Sequence, residues 1–190
     1  MHRRPTRSLS QILIPAVLLF SIWILFSGKF ELKLILIGLF SSIIISIICF
    51  PFMLITNNKS GKQFFVFDFN ILKFLSYSLW LLIEIIKSSV EVAKEIFKPN
   101  MEYEPLIVYF SMPFENPLAS VVLANSIILT PGTITIDVDI DGVFEVHALS
   151  KNFASGLLDG RMQNRIAKLF DEDCQFTPLE HLTVIRKGVK

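Results

Sequence analysis

The chain has 190 residues, 52% of them hydrophobic, with 18 Lys and Arg against 17 Asp and Glu and a mean hydropathy of +0.57. A soluble domain of this length does not need that much apolar surface, so a membrane class comes first. No basic stripe with interleaved aromatics is present, which argues against a nucleic-acid partner.

Residues 9–26 (LSQILIPAVLLFSIWILF) and 34–55 (LILIGLFSSIIISIICFPFMLI) carry no charge. About 20 residues rising 1.5 Å each cross a hydrocarbon core of about 30 Å, so both are expected to span a membrane, joined by the tight hairpin SGKFELK. Arg3, Arg4 and Arg7 resemble the start of a signal peptide, but no small-residue cleavage site follows and a second span comes at once. The segment therefore reads as an uncleaved anchor. Those arginines, with Lys59 and Lys62, place both ends of the hairpin in the cytoplasm; Lys29 and Lys33 between the spans oppose this. Gly38, Ser42 and Ser46 share one face of the second span, a small-residue pattern that lets a partner helix approach closely. Neither span holds an Asp, Glu, Lys, Arg or His, so these two helices alone offer no proton or cation relay.

In residues 71–98, Lys73, Tyr77, Trp80, Glu84, Lys87, Glu91, Lys94 and Lys98 recur every third or fourth position and form one polar stripe on a long helix. Glu84–Lys87, Lys87–Glu91 and Glu91–Lys94 are spaced to pair along it. The other faces are Ile, Leu, Phe and Val. Such a helix lies tilted in the membrane interface, with Tyr77 and Trp80 at headgroup level, or crosses as a third span with Glu84 and Lys87 turned toward partner subunits. The amino-terminal arginines favour the interfacial reading, and Pro99 and Asn100 end the helix.

The remainder is ordinary in composition. LIVYFS (106–111) reads as a strand, and Asn116-Pro117 starts a helix, PLASVVLANSIIL, that should be buried all round until Thr130-Pro131-Gly132 stops it. Residues 133–148 admit two readings. Asp137, Asp139, Asp141 and Gly142 open like a calcium loop, but the twelfth position, which needs a bidentate Glu, is Ala148. Ile134, Ile136, Val138 and Ile140 alternate with Thr133, Thr135, Asp137 and Asp139 and lead to Asp141-Gly142, a two-residue turn with both residues at positive φ. The hairpin is the better account. After Ser150 a single helix is expected, with Leu158, Met162, Ile166, Leu169 and Phe170 on its apolar face, and HLTVIR supplies a last strand. Strand, helix, strand, strand, helix, strand is the split βαβ, ferredoxin-like plan.

Chemistry-bearing motifs are scarce. His147 and Glu145 share a strand face, with Asp137 and Asp139 nearby, and a solvated face accounts for them. Ser126 and Ser150 lack a histidine base, and no G-x-S-x-G elbow, P-loop, dinucleotide fingerprint or metal-spaced Cys/His set occurs. Asp171, Glu172 and Asp173, beside Cys174, read as an exposed acidic helix end. Cys49 and Cys174 suggest no disulfide framework and fit a reducing compartment for the tail.

Behind two spans and a long amphipathic helix, ANSIILTPGTITIDVD followed by VHAL resembles the E subunit of the Mrp (Mnh) multisubunit cation/proton antiporters. The likeness runs over roughly residues 9–150 and centres on Leu129, Thr130, Pro131, Gly132 and Thr133, then His147 and Ala148; FDFN (67–70) resembles the family's lead into the long helix. The resemblance implies a bacterial plasma-membrane complex exchanging sodium or other monovalent cations for protons. Its large subunits, similar to the proton-pumping subunits of respiratory complex I, carry the ion paths, and the E subunit supports assembly or activity. The tail after about Ala154 is longer than the resemblance leads one to expect.

The expected architecture is thus a transmembrane hairpin (1–63), an amphipathic helix (64–100) and a cytoplasmic α+β domain (101–190). The expected role is that of a non-catalytic accessory subunit without cofactor or metal, partnered by other subunits and the bilayer. Thr130, Pro131, Gly132 and Thr133 act as a structural turn. A stand-alone membrane-anchored module binding a regulator or ligand on its exposed sheet is the alternative, and an enzyme working through the His147 face is a third.

Overall fold

A computed structural model describes residues 9–98 and 105–184. The chain forms two compact units, Met1–Asp68 and Phe69–Lys190.

The first unit is a helical hairpin followed by a small β-ribbon. Helices α1 (Leu9–Ser27) and α2 (Leu32–Cys49) run antiparallel; the turn between them includes Gly28 at φ +59°. Their outward faces expose Leu13, Val17, Ile22 and Leu25 on α1 and Phe40, Ile44, Ile47 and Ile48 on α2, a surface that water does not favour. Among the described residues, Leu32–Met53 is long and apolar enough to cross a membrane, whereas Gln11–Ser27 is apolar but shorter. The expected helical span over 34–55 is corrected at both ends. It starts at Leu32, and after Cys49 the chain tightens into a 3₁₀ turn (Phe50–Met53) at Pro51, which cannot continue an α-helical ladder. Leu54 and Ile55 instead belong to β1 (Leu54–Thr56), which pairs antiparallel with β2 (Gln63–Phe65). The Val66 amide donates to the Met53 carbonyl (3.1 Å), so the chain leaves this unit beside the end of its apolar segment.

The second unit opens with α3 (Ile71–Ile96), capped by the Asn70 side chain, which accepts from the amides of Leu72 (2.9 Å) and Lys73 (3.4 Å). Pro99 and Asn100, expected to end this helix, lie outside the described residues. Then follow β3 (Leu106–Ser111), α4 (Pro117–Leu129), β4 (Thr133–Val138), β5 (Val143–Ala148), α5 (Lys151–Leu158), α6 (Arg161–Leu169) and β6 (Thr177–Val184). The sheet order is β4-β5-β3-β6, every neighbour antiparallel. One face of the sheet presents Leu106, Val108, Phe110, Phe144, Val146 and Ala148 to Leu123 and Ile127 of α4 and to Phe153, Leu157 and Ile166 of α5 and α6. Phe110 and Phe144 stack at 4.9 Å.

Four expectations for this unit need correction. The helix α4 is not buried all round: Val121, Ile128 and Leu129 are exposed, and the buried stripe is Ala119, Leu123, Ser126 and Ile127. The hairpin turn is not a two-residue Asp-Gly turn. The Gly142 amide donates to Asp139 (2.9 Å) and the Asp139 amide to Val143 (2.9 Å), with positive φ at Gly142 and not at Asp141, the pattern of a turn followed by a glycine bulge. The single helix expected after Ser150 is two helices broken at Gly160 (φ +72°), where the Asp159 carboxylate accepts from the Arg161 amide (2.9 Å) and restarts the chain. The last strand begins at Thr177, ahead of HLTVIR; β6 is an edge strand and tolerates Pro178, which has no amide to donate. The opposite edge, β4, exposes Ile134 and Ile136 and carries a bulge between Thr135 and Asp137.

Candidate functional site

The long helix and the turn motif meet. Thr130 ends α4, its Oγ1 donating back to Ser126 O (2.6 Å), and Thr133 Oγ1 donates to Ile127 O (2.8 Å), so two threonines satisfy carbonyls that the helix end leaves open. Gly132 sits at φ +92°, and a Cβ there would lie 2.7 Å from the Phe153 ring of α5. Its carbonyl accepts from the Leu149 amide (2.9 Å), and the Pro131 carbonyl accepts from Ser88 Oγ on α3 (2.5 Å). The Thr-Pro-Gly-Thr segment therefore joins α3, α4, the start of β4 and α5.

The polar stripe of α3 faces the chain's own α+β layer. Tyr77 is buried and donates to Ser126 Oγ (2.7 Å), which in turn donates to Val122 O (2.7 Å). Burial, partly offset by the Ser126 contact, pushes the Tyr77 hydroxyl up to about 12. The Arg165 guanidinium of α6 lies 4.6 Å over the Trp80 ring. These two aromatics thus point into the domain and not to headgroup level as the sequence suggested. Glu84 meets Lys87 (3.5 Å) and Arg161 (3.7 Å). Of the three pairings expected along the stripe, Glu84–Lys87 forms; Lys98 instead binds Glu95 (2.5 Å). Glu84, expected to face partner subunits, is mostly covered by its own domain, while Lys87 stays exposed. The outward side of α3 is left with Leu72, Leu75, Leu79, Leu82, Ile83 and Ile86, all exposed.

Along the second half of α3, from Glu84 to Lys98, a groove of about 530 Å³ lies between the helix and the domain. Glu84, Glu91 and Glu95 alternate there with Lys87, Lys94 and Lys98, so no single sign of charge dominates. A second groove, about 570 Å³, lies between the start of α3 and the end of α6.

In the hairpin unit, Gly38, Ser42 and Ser46 are buried, and the helix against them is α1 of the same chain. Ser46 Oγ donates to Ile12 O (2.6 Å) and Trp23 Nε1 to Leu34 O (3.2 Å). A Cβ on Gly38 would collide with the Trp23 ring at Cδ1.

The remaining candidates share a strand face or serve the fold. Cross-strand register puts Glu145 between Tyr109 and Asp137, and His147 between Ile107 and Ile134. The Tyr109 hydroxyl donates to Glu145 Oε1 (3.1 Å), a bond that raises its pKa. Asp139 lies in the turn. Among the described residues no three His, Cys, Asp or Glu side chains converge on a point. The acidic segment is not simply an exposed helix end: Glu172 is half-buried and accepts from the amides of Glu115 (2.8 Å) and Asn116 (2.6 Å) at the start of α4. Burial raises its pKa against the pull of those two bonds. Burial also raises the Cys174 thiol, which disfavours the reactive thiolate. Sequence reasoning missed the Glu172 clasp and the Ser88 contact, although Ser88 follows Tyr77, Leu81 and Glu84 at helical spacing.

Residues 16–169 match the family described as MNHE, Na+/H+ ion antiporter subunit. An E1 subunit of a Na+/H+ antiporter from Staphylococcus haemolyticus is 28% identical over 132 residues, 69% of this chain and 76% of the relative. Its counterpart from Staphylococcus saprophyticus is 31% identical over 124 residues, 63% and 69% of the two chains. Among solved structures, a chain of the membrane-bound sulfane sulfur reductase, an archaeal respiratory membrane complex, superposes with a TM-score of 0.58 at 27% identity, covering 73% of this chain and 83% of that one. The family match spans most of the described fold, including α1 from Ala16 onward, all of α2 and the Thr-Pro-Gly-Thr junction, and the chain belongs to this family of Na+/H+ antiporter E subunits, membrane proteins that serve as parts of a transporter.

Proposed function

We propose that the chain is a non-catalytic accessory subunit of a multisubunit monovalent cation/proton antiporter in a bacterial plasma membrane, supporting its assembly and activity. The observation that carries this is the lack of any Asp, Glu, Lys, Arg or His in 9–26 and 34–55. A relay through the membrane needs ionisable or hydrated groups, so the ion paths belong to larger partners. Two spans are supported by the antiparallel pairing of α1 and α2 and by their apolar outer faces. Arg3, Arg4 and Arg7 before the first and Lys59 and Lys62 after the second support a cytoplasmic C-terminal domain.

The helix α3 is read as interfacial. Domain contacts run along it from Lys73 to Val92, a rise of roughly 28 Å at 1.5 Å per residue. A crossing helix would draw that polar domain into the hydrocarbon; a helix lying flat gives Leu72, Leu79 and Ile86 to lipid and keeps the domain in water. The C-terminal layer is read as ferredoxin-like, supported by its antiparallel order β4-β5-β3-β6, with a second crossover built from two short helices. The test is extraction of the tagged chain from its native membrane in mild detergent. Large multi-span subunits travelling with it are expected. A particle holding this chain alone would overturn the accessory role.

A further inference from the structure

The groove between α3 and α6 differs from the one farther along the helix in being apolar within and basic at its rim. Its walls are Leu72, Tyr77 and Leu169, and its rim holds Lys73, Arg165 and Lys168. One carboxylate, Asp171, belongs to the groove and is bound to Lys73. Arg165 is held over the Trp80 ring with no carboxylate partner among the described residues, and Lys168 is exposed, without an ion-pair partner among them. Leu72 is at once a groove wall and part of the exposed apolar face of α3, 72% exposed. The groove therefore opens onto the surface assigned above to lipid. A soluble phosphate would use the cations and leave the apolar walls wet; a neutral acyl chain would use the walls and leave the cations without a counter-charge. A ligand joining a phosphate to an apolar tail uses both.

We propose that this groove is a headgroup site for an anionic phospholipid, its phosphate held by Lys73, Arg165 and Lys168 and its acyl chains passing over Leu72 onto the outer face of α3. This rests on the reading of α3 as interfacial. Bound lipid fixes the domain against the membrane surface through a charge-specific contact added to the non-specific apolar one.

The full chain in detergent, mixed with dioleoyl phosphatidylglycerol or dioleoyl phosphatidylcholine and examined by native mass spectrometry, tests the site. The wild type is expected to retain phosphatidylglycerol preferentially, and Lys168→Gln to lower that preference about fivefold. The combined Lys73→Gln, Arg165→Gln, Lys168→Gln protein is expected to lose it, while Lys87→Gln, outside the groove, keeps it. Equal retention of the two lipids by the wild type, or an equal loss in Lys87→Gln, would overturn the site. Displacement by sn-glycerol 3-phosphate as effective as by the lipid would assign a soluble phosphate ligand and overturn the lipid assignment. An environment-sensitive dye on Leu79→Cys, with Cys49→Ser and Cys174→Ser, separately reports the interfacial helix in phosphatidylcholine vesicles. A blue shift without headgroup preference removes the site and leaves the helix; no blue shift removes both.

Discussion

Ser88 Oγ donates a 2.5 Å hydrogen bond to the carbonyl of Pro131, tying the middle of α3 to the loop that turns α4 into β4. The family motif thus acts mechanically. Its proline carbonyl holds the long helix, its glycine admits Phe153, and its threonines close a helix end.

Gly132→Val should be the most damaging change in that loop. A β-branched residue at φ +92° is strained by about 1–3 kcal/mol, and its Cβ meets Phe153. The amount of assembled complex recovered from membranes should fall, and any complex that forms should transport normally. Normal complex levels with lost transport would instead give the loop a direct part in ion movement.

Tyr77→Phe removes one buried hydrogen bond and leaves Ser126 its bond to Val122, so a cost of about 1 kcal/mol is expected. The hydroxyl titrates near 12 when folded and near 10 when unfolded. Its contribution is therefore complete below pH 10 and is lost as pH rises through 12, a change of roughly 3 kcal/mol in all. The stability difference between wild type and Tyr77→Phe, followed by denaturant unfolding, should stay flat below that window, then fall through zero across it, leaving Tyr77→Phe the more stable protein at the top.

Glu172→Ala leaves the Glu115 and Asn116 amides without their carboxylate and should cost about 1–2 kcal/mol, measured as a lower Tm of the full chain in detergent. The pH response runs opposite to that of a salt-bridged acid. Burial raises the folded pKa, so the proton is bound more firmly in the folded state. Wild type should therefore gain stability relative to Glu172→Gln as pH falls through that raised value, and the gain should be complete below the ordinary glutamate pKa. A relative loss of stability on acidification would show that the backbone bonds outweigh burial.

Gly38→Ala drives a methyl group into Trp23 and should open the α1–α2 seam, lowering the yield of membrane-assembled chain. Trp23→Ala in the same protein should restore part of that yield, because the clash is with one ring. Ser46→Ala should cost less, about 0.6 kcal/mol, the usual worth of a side-chain hydrogen bond between membrane helices. If Trp23→Ala fails to rescue Gly38→Ala, the close approach at this seam is wrong.

What the sequence discloses and what it hides can be traced to particular residues. Strand β3, helix α4 and the β4–β5 hairpin are legible because a proline, a capping asparagine and a period-two alternation mark their limits. The break at Gly160 is not, because Leu158, Met162, Ile166 and Leu169 keep helical spacing across it and a lone glycine does not forbid a helix. The stripe on α3 is legible as a stripe, but periodicity does not say which polar surface lies opposite, so the reach from Tyr77 to Ser126 was hidden. Small residues on α2 announce a close neighbour without naming it, and the neighbour is α1. The Glu172 clasp joins residues far apart in the chain, and no local pattern marks such a bond.

The edge strand β4 exposes Ile134 and Ile136, and no other described strand than β5 pairs with it, which bears on how the cell must handle this chain. Such an edge offers a template for another strand, blunted in part by its bulge between Thr135 and Asp137. Newly made copies that outnumber their partners are then a burden on quality control, open to self-association and to proteolytic clearance. Synthesis matched in amount to the other subunits would relieve that burden, and overproduction of this chain alone should yield aggregates well before it yields toxicity from ion leakage.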